Sequence, residues 1–126
     1  MVFVNLSIMK KEKRLGIENP LKGNNIAIIR KIKEAVTKID SSVQLILFGS
    51  RARGNAKNNS DWDLLILVNK QKVTVKDEEL FRDKLYDLAL ATEQAISTLV
   101  YSKKDWDSKL SVTPLYENIK REGIYL

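Results

Sequence analysis

Hydrophobic positions recur along the chain at two periods. Between residues 25 and 39, Ile26, Ile29, Ile32, Val36 and Ile39 fall at steps of three and four, which is the period of a helix with one buried face. After "DSS", the run "VQLILF" (43–48) is rich in branched and apolar residues and stops at Gly49; it predicts a mostly buried strand. The polar, turn-prone stretch "GNAKNNS" (54–60) leads to "DWDLLILV" (61–68), a second strand that enters the core just after Asp61.

Past the loop "NKQKVTVKD", Leu80, Phe81, Lys84, Leu85 and Leu88 mark a second helix, capped near Asp77 and carrying "DEE" in its first turn, where the amide dipoles favour negative charge. "AISTLVY" (95–101) is a third strand candidate, and a short helix begins near Asp105 in "KKDWDSKL". Thr113 caps a last helix with Pro114 at its first position, Lys120 and Arg121 in its last turn and Gly123 just past its end. Helices alternating with strands imply an α/β or α+β sandwich, a sheet covered by helices on at least one side. No internal repeat or low-complexity segment interrupts it.

Composition narrows the chemistry. A chain of 126 residues with 44% apolar content supports one domain. The domain is expected over residues 25–126, with residues 1–24 as an N-terminal extension. Its opening, "MVFVNLSIMKKEKR", puts apolar before basic residues, the reverse of a secretory signal; it reads as a tail or a short edge strand rather than a membrane-surface anchor. No stretch approaches the roughly 20 apolar residues that span a bilayer, so a cytoplasmic location and no membrane partner are expected. A net charge of +6 eases contact with nucleotides, nucleic acids or acidic protein surfaces without choosing among them. With neither cysteine nor histidine in the chain, chemistry must run on carboxylates, hydroxyls, lysine, arginine or a bound hard cation.

Those groups gather in "LFGSRARGNAKNNSDWDLLILV" (47–68). Side chains alternate along a strand that rises about 3.3 Å per residue, so Asp61 and Asp63 share a side and can converge on one ion. Repulsion between them calls for a proton, a cationic side chain or a divalent metal, and an all-oxygen donor set suits Mg²⁺, with Mn²⁺ as its substitute. Gly49 permits a tight turn, and Ser50 offers an amide and a hydroxyl to a phosphate. Arg51 and Arg53 are placed to neutralise phosphate oxygens, or one of them to hold the loop. Trp62 should face the other way and pack on a helix. Asn55, Asn58 and Asn59 serve the turn, and Tyr101, Trp106 and Tyr116 pack in the core or at its edge.

The span "GSRARGNAKNNSDWDLLI", Gly49-Ser50 followed after ten residues by Asp61-x-Asp63, resembles the signature of the minimal nucleotidyltransferases of the DNA polymerase β superfamily. The likeness runs from about Ile26 to Gly123. It implies the nucleotidyltransferase fold, a mixed sheet with flanking helices, and transfer of a nucleoside monophosphate, usually from ATP. It also implies Mg²⁺ held at Asp61 and Asp63, with Gly49 and Ser50 at the phosphates. Most active members of the superfamily add a third carboxylate on a later strand. Here Ser97 or Thr98 stands at that place, and Glu93, just before the strand, is the nearby substitute.

The small members that this chain resembles are often encoded beside a helical HEPN-domain protein, as antitoxin and toxin, and some attach AMP to a tyrosine of the toxin. The resemblance therefore implies AMP transfer from ATP to a hydroxyl on a HEPN-type partner. A non-catalytic antitoxin that binds nucleotide or masks its toxin is the alternative favoured by the missing carboxylate. Transfer to RNA or a small molecule is the third; tailing and small-molecule enzymes of the superfamily usually carry extra substrate domains, which argues against it. Oligomeric state, homo- or hetero-, is left open by the sequence.

Overall fold

The structure is a computed structural model, and it describes residues 23–126. The expected extension at residues 1–24, apart from its last two residues, lies outside the described part. The elements run in the order α1 (Asn24–Ile39), β1 (Gln44–Phe48), α2 (Gly49–Arg53), β2 (Trp62–Val68), α3 (Val75–Thr92), β3 (Ile96–Ser102), α4 (Lys103–Asp107), α5 (Pro114–Glu122) and β4 (Ile124–Tyr125).

The four strands form one mixed sheet in the order β3-β2-β1-β4. β1 lies antiparallel to β2 and to β4, while β2 and β3 run parallel. A parallel pair needs a crossover, and α3 supplies it. Alternation along β2 explains why its sequence is apolar throughout. Leu64, Ile66 and Val68 join Ile29, Ile32 and Val36 of α1 and Phe81 and Leu85 of α3 in one core, whereas Leu65 and Leu67 join Ile46, Trp106 and Ile119 in a second core under α4 and α5. The sheet is therefore covered on both faces, and each fully buried Leu or Ile contributes about 1.5–3 kcal/mol of burial.

Several helix ends follow the sequence and some depart from it. α5 begins as expected, with the Thr113 hydroxyl accepting from the Tyr116 N–H at 3.2 Å and Pro114 at its first position. α3 begins earlier than expected. Thr74 is its cap, and Asp77 is the third helical residue, accepting from the Thr74 N–H at 2.9 Å while its own N–H donates to the Thr74 hydroxyl at 3.1 Å; the reciprocal pair satisfies two free amides at once. α4 starts at Lys103 because the Ser102 hydroxyl accepts from the Asp105 N–H at 3.0 Å. Leu80 points outward and is 53% exposed.

β4 has no counterpart in the sequence reading, since two residues carry no periodicity. It pairs Ile124 with Leu47 and Tyr125 with Ile46. Gly123, which precedes it, has ordinary extended backbone, and its missing side chain matters for packing: a Cβ there would meet the Ile119 carbonyl oxygen at 2.5 Å and Ile46 Cγ2 at 2.9 Å. No helix among the described residues is long and apolar enough to cross a membrane.

Candidate active site

The antiparallel β1–β2 pair brings the two halves of the glycine-to-aspartate stretch together, because its register sets Phe48 opposite Asp63. β1 ends there, and Gly49 opens α2 with a φ of 73°. That left-handed backbone favours glycine, and the space does too. A Cβ on Gly49 would collide with the Asp63 carboxylate, with Oδ2 nearest, Cγ at 3.1 Å and Cβ at 3.3 Å. The turn and the second aspartate are thus packed directly against each other.

Asp61 lies exposed just before β2, and Asp63 is half-buried at its second position. Burial pushes the Asp63 carboxyl above its ordinary pKa; Asp61 adds to the rise, Arg53 opposes it, and Glu122 adds to it again. Proximity of the two aspartates, expected from their spacing, is the electrostatic fact behind this. Among the described residues neither aspartate has an ion-pair partner within 4 Å, and Arg53, itself paired with Glu122, only partly offsets the charge at Asp63. Hard oxygen donors in this state fit Mg²⁺ or Mn²⁺. The protein's share of such a site is two carboxylates, since among the described residues no group of three acids could hold a metal ion.

The neighbouring strand explains why. Parallel pairing aligns Asp63 with Ser97, and Leu64 with Thr98, so Ser97 shares the Asp63 face and Thr98 lies on the other. Of the two residues that the sequence offered at the third-carboxylate place, the register selects Ser97. Glu93 is no substitute for it. It forms the left-handed C-cap of α3 with a φ of 56°, and among the described residues it does not join the two aspartates in a group of three acids that could hold a metal ion.

The arginines divide their work. Arg51, only 8% exposed, donates from Nη2 to the carbonyl oxygens of Asn58 and Ser60 at 3.2 and 3.1 Å and lies 4.7 Å over the Trp62 ring. It staples the loop between α2 and β2 through Nη2, while its buried Nε has no hydrogen-bond partner. Arg53 stays at the rim, paired through Nη1 with Glu122 Oε2 at 3.0 Å. Trp62 faces away from the aspartates as expected, 1% exposed in the core under α1 and α3, with its Nε1–H donated to Gln94 Oε1 at 3.1 Å. Trp106 stacks on Tyr101 and tilts against Tyr116, at 6.0 and 5.1 Å between ring centres; this cluster is core.

Glu122 is the residue that the sequence did not mark. The last residue of α5, it reaches back over 73 positions of chain to accept the Gly49 N–H at its Oε1, 3.3 Å away. No local spacing signals it, since only the closure of β4 on β1 carries the end of α5 to the glycine turn.

Residues 29–126 match the family model described as nucleotidyltransferase domain. The chain is 46% identical over 48 residues to the protein adenylyltransferase MntA of Aphanizomenon flos-aquae, an alignment covering 37% of this chain and 32% of that protein. It is 36% identical over 80 residues to the putative protein adenylyltransferase MJ0141 of Methanocaldococcus jannaschii, covering 62% of this chain and 80% of that protein. Its fold matches a chain of the crystal structure of a toxin-antitoxin with AMP-PNP, with a TM-score of 0.57 over 76% of this chain and 69% of the other. The sequence identity there is 20%, so that likeness is one of fold.

Proposed function

Because the chain belongs to the nucleotidyltransferase domain family, we propose that it moves AMP from ATP to a hydroxyl of a partner protein, a HEPN-type toxin to which it is the antitoxin. The observation that carries this reading is the close packing of Gly49 against the Asp63 carboxylate, which sets the glycine turn directly beside the aspartate pair. Asp61 and Asp63 would hold Mg²⁺, whose chemistry is to neutralise the triphosphate and the departing pyrophosphate. The Gly49 amide, the Ser50 hydroxyl and Arg53 would bind and orient the phosphates, while Arg51 keeps the loop closed beneath them. The acceptor hydroxyl oxygen forms its bond to the α phosphorus as the bond from that phosphorus to the oxygen bridging the β phosphate breaks; pyrophosphate leaves with that oxygen, and the hydroxyl proton passes to water. Two relatives named as protein adenylyltransferases support the protein acceptor, and a fold neighbour from a toxin-antitoxin complex supports the partner class.

Ser97 beside Asp63 favours one second reading, a subunit that binds nucleotide or masks its toxin without transfer, because a serine cannot serve as the carboxylate base expected there. Label from α-phosphate-labelled ATP, followed into protein, RNA and small-molecule fractions of the host lysate with Mg²⁺ or Mn²⁺, separates these readings. The proposal expects one labelled protein, with labelling cut at least about a hundredfold by Asp61→Asn/Asp63→Asn. Label in RNA would redirect the acceptor. No label with the partner present, and neutralisation of the partner intact in the double variant, would leave the masking subunit.

A further inference from the structure

Glu122 takes up donors that the proposed site needs. Its Oε1 accepts the Gly49 N–H at 3.3 Å and its Oε2 the Arg53 Nη1–H at 3.0 Å. Two oxygens on one carbon, spanning an amide and a guanidinium, reproduce the way two oxygens of a phosphate would be held. We propose that Glu122 is an internal competitor for the triphosphate, occupying the Gly49 amide and the Arg53 guanidinium until the nucleotide displaces it. This inference rests on the nucleotide reading of the site.

The geometry suits displacement. The contact to the amide is long for an N–H···O bond and correspondingly weak, and the Arg53 side chain is 47% exposed, so water can take the place of Glu122 on the guanidinium, whereas the Glu122 side chain is only 16% exposed. The backbone around Glu122 is fixed: the Gly123 N–H donates to the Ile119 carbonyl at 2.7 Å, Ile119 is buried, and β4 follows at once on β1. Release therefore needs a turn of one side chain and no movement of α5.

Charge gives the device its consequence. Asp61 and Glu122 both act as negative charges on Asp63, with Arg53 as the cation set against them. A triphosphate that carries its own divalent cation brings positive charge to these carboxylates and so offsets the loss of the Glu122 contacts.

The opposite assignment, in which Glu122 orients Arg53 toward the nucleotide, predicts weaker binding when the carboxylate is removed, so one measurement separates them. Calorimetric titration of inorganic triphosphate, and separately of ATP, each with Mg²⁺, is made on the full chain and on its Glu122→Gln and Glu122→Ala variants, with the melting temperature of each as the control for folding. Competition predicts that both variants bind inorganic triphosphate about tenfold more tightly than the parent protein. It also predicts that the Gly49 amide resonance of the parent protein shifts on adding triphosphate and that the Glu122→Ala variant lacks the starting shift, whereas Glu122→Gln keeps an oxygen that can accept from the amide. Equal or weaker binding by folded variants, with ATP still bound by the parent protein, overturns the competitor and leaves the nucleotide site standing. Failure of ATP and triphosphate to bind any of the three folded proteins overturns the nucleotide reading and the competitor together.

Discussion

Gly49 concentrates two demands in one residue, a left-handed backbone and a close approach to the Asp63 carboxylate. Gly49→Ala is expected to cost about 2 kcal/mol or more from the backbone and the collision combined, and to weaken ATP binding because the aspartate must move. Thermal melts and ATP titration read the two effects. The arginines make a contrasting pair. Arg51→Lys cannot keep two carbonyl acceptors and the Trp62 ring, and a loss of about 1–3 kcal/mol is expected in urea unfolding. Arg53→Ala should cost about 1 kcal/mol of stability, since Arg53 is exposed while its partner Glu122 is only 16% exposed, and should weaken triphosphate binding. Arginine in "GSRARG" was recognisable as important from sequence; which of the two lines the site depended on burial, which no local pattern encodes.

At the scale of elements, the helix ends explain most of the boundaries. Thr74 and Asp77 close the start of α3 reciprocally, and the Lys70 ammonium donates to Asp77 Oδ1 at 2.8 Å. Lys70 first, and then the Thr74 amide, lower the Asp77 pKa from 3.8 to about 2. A carboxyl whose folded pKa is depressed stabilises fully above its unfolded value, and that contribution is lost as pH falls through the folded one. Stability should therefore drop between about pH 4 and pH 2 in the parent protein. Acid titration of the melting temperature should show a shallower drop for Asp77→Asn, which carries no such group to protonate. Helix α3 and its cap were legible as a class of feature from "TVKDEE"; the sequence favoured the acidic residue as cap, whereas the hydroxyl of Thr74 holds that position and the acid answers it from the third.

For the whole molecule, the decisive feature is a sheet with helices on both faces. Leu65 and Ile66 are adjacent in β2 and point to opposite cores, and both are fully buried. Leu65→Ala and Ile66→Ala are each expected to cost about 2–5 kcal/mol in denaturant unfolding; a one-sided sheet would have tolerated one of them. Charge also behaves differently at this scale than in the count. The chain as a whole carries +6, yet at the candidate site Asp61 and Glu122 both act as negative charges on Asp63, with Arg53 set against them, so net charge indicates the ease of meeting an anion and not the means of holding it.

The sequence by itself determined what short-range chemistry and periodicity can carry. The apolar steps of α1 from Ile29 onward, though not Ile26, which is exposed, the buried runs of β1 and β2, the Thr113-Pro114 start of α5 and the Gly49-Ser50 to Asp61-x-Asp63 spacing each lie within a few turns or one hairpin of chain, where local geometry leaves few alternatives. Tertiary structure decided what depends on contacts between distant segments. Strand register put Ser97, and not Thr98, beside Asp63; packing removed Arg51 from the rim; and the closure of β4 on β1 brought Glu122 to the Gly49 amide from 73 residues away. A register or a long-range closure is fixed by the summed packing of the whole core, so it has no signature in any one stretch of residues.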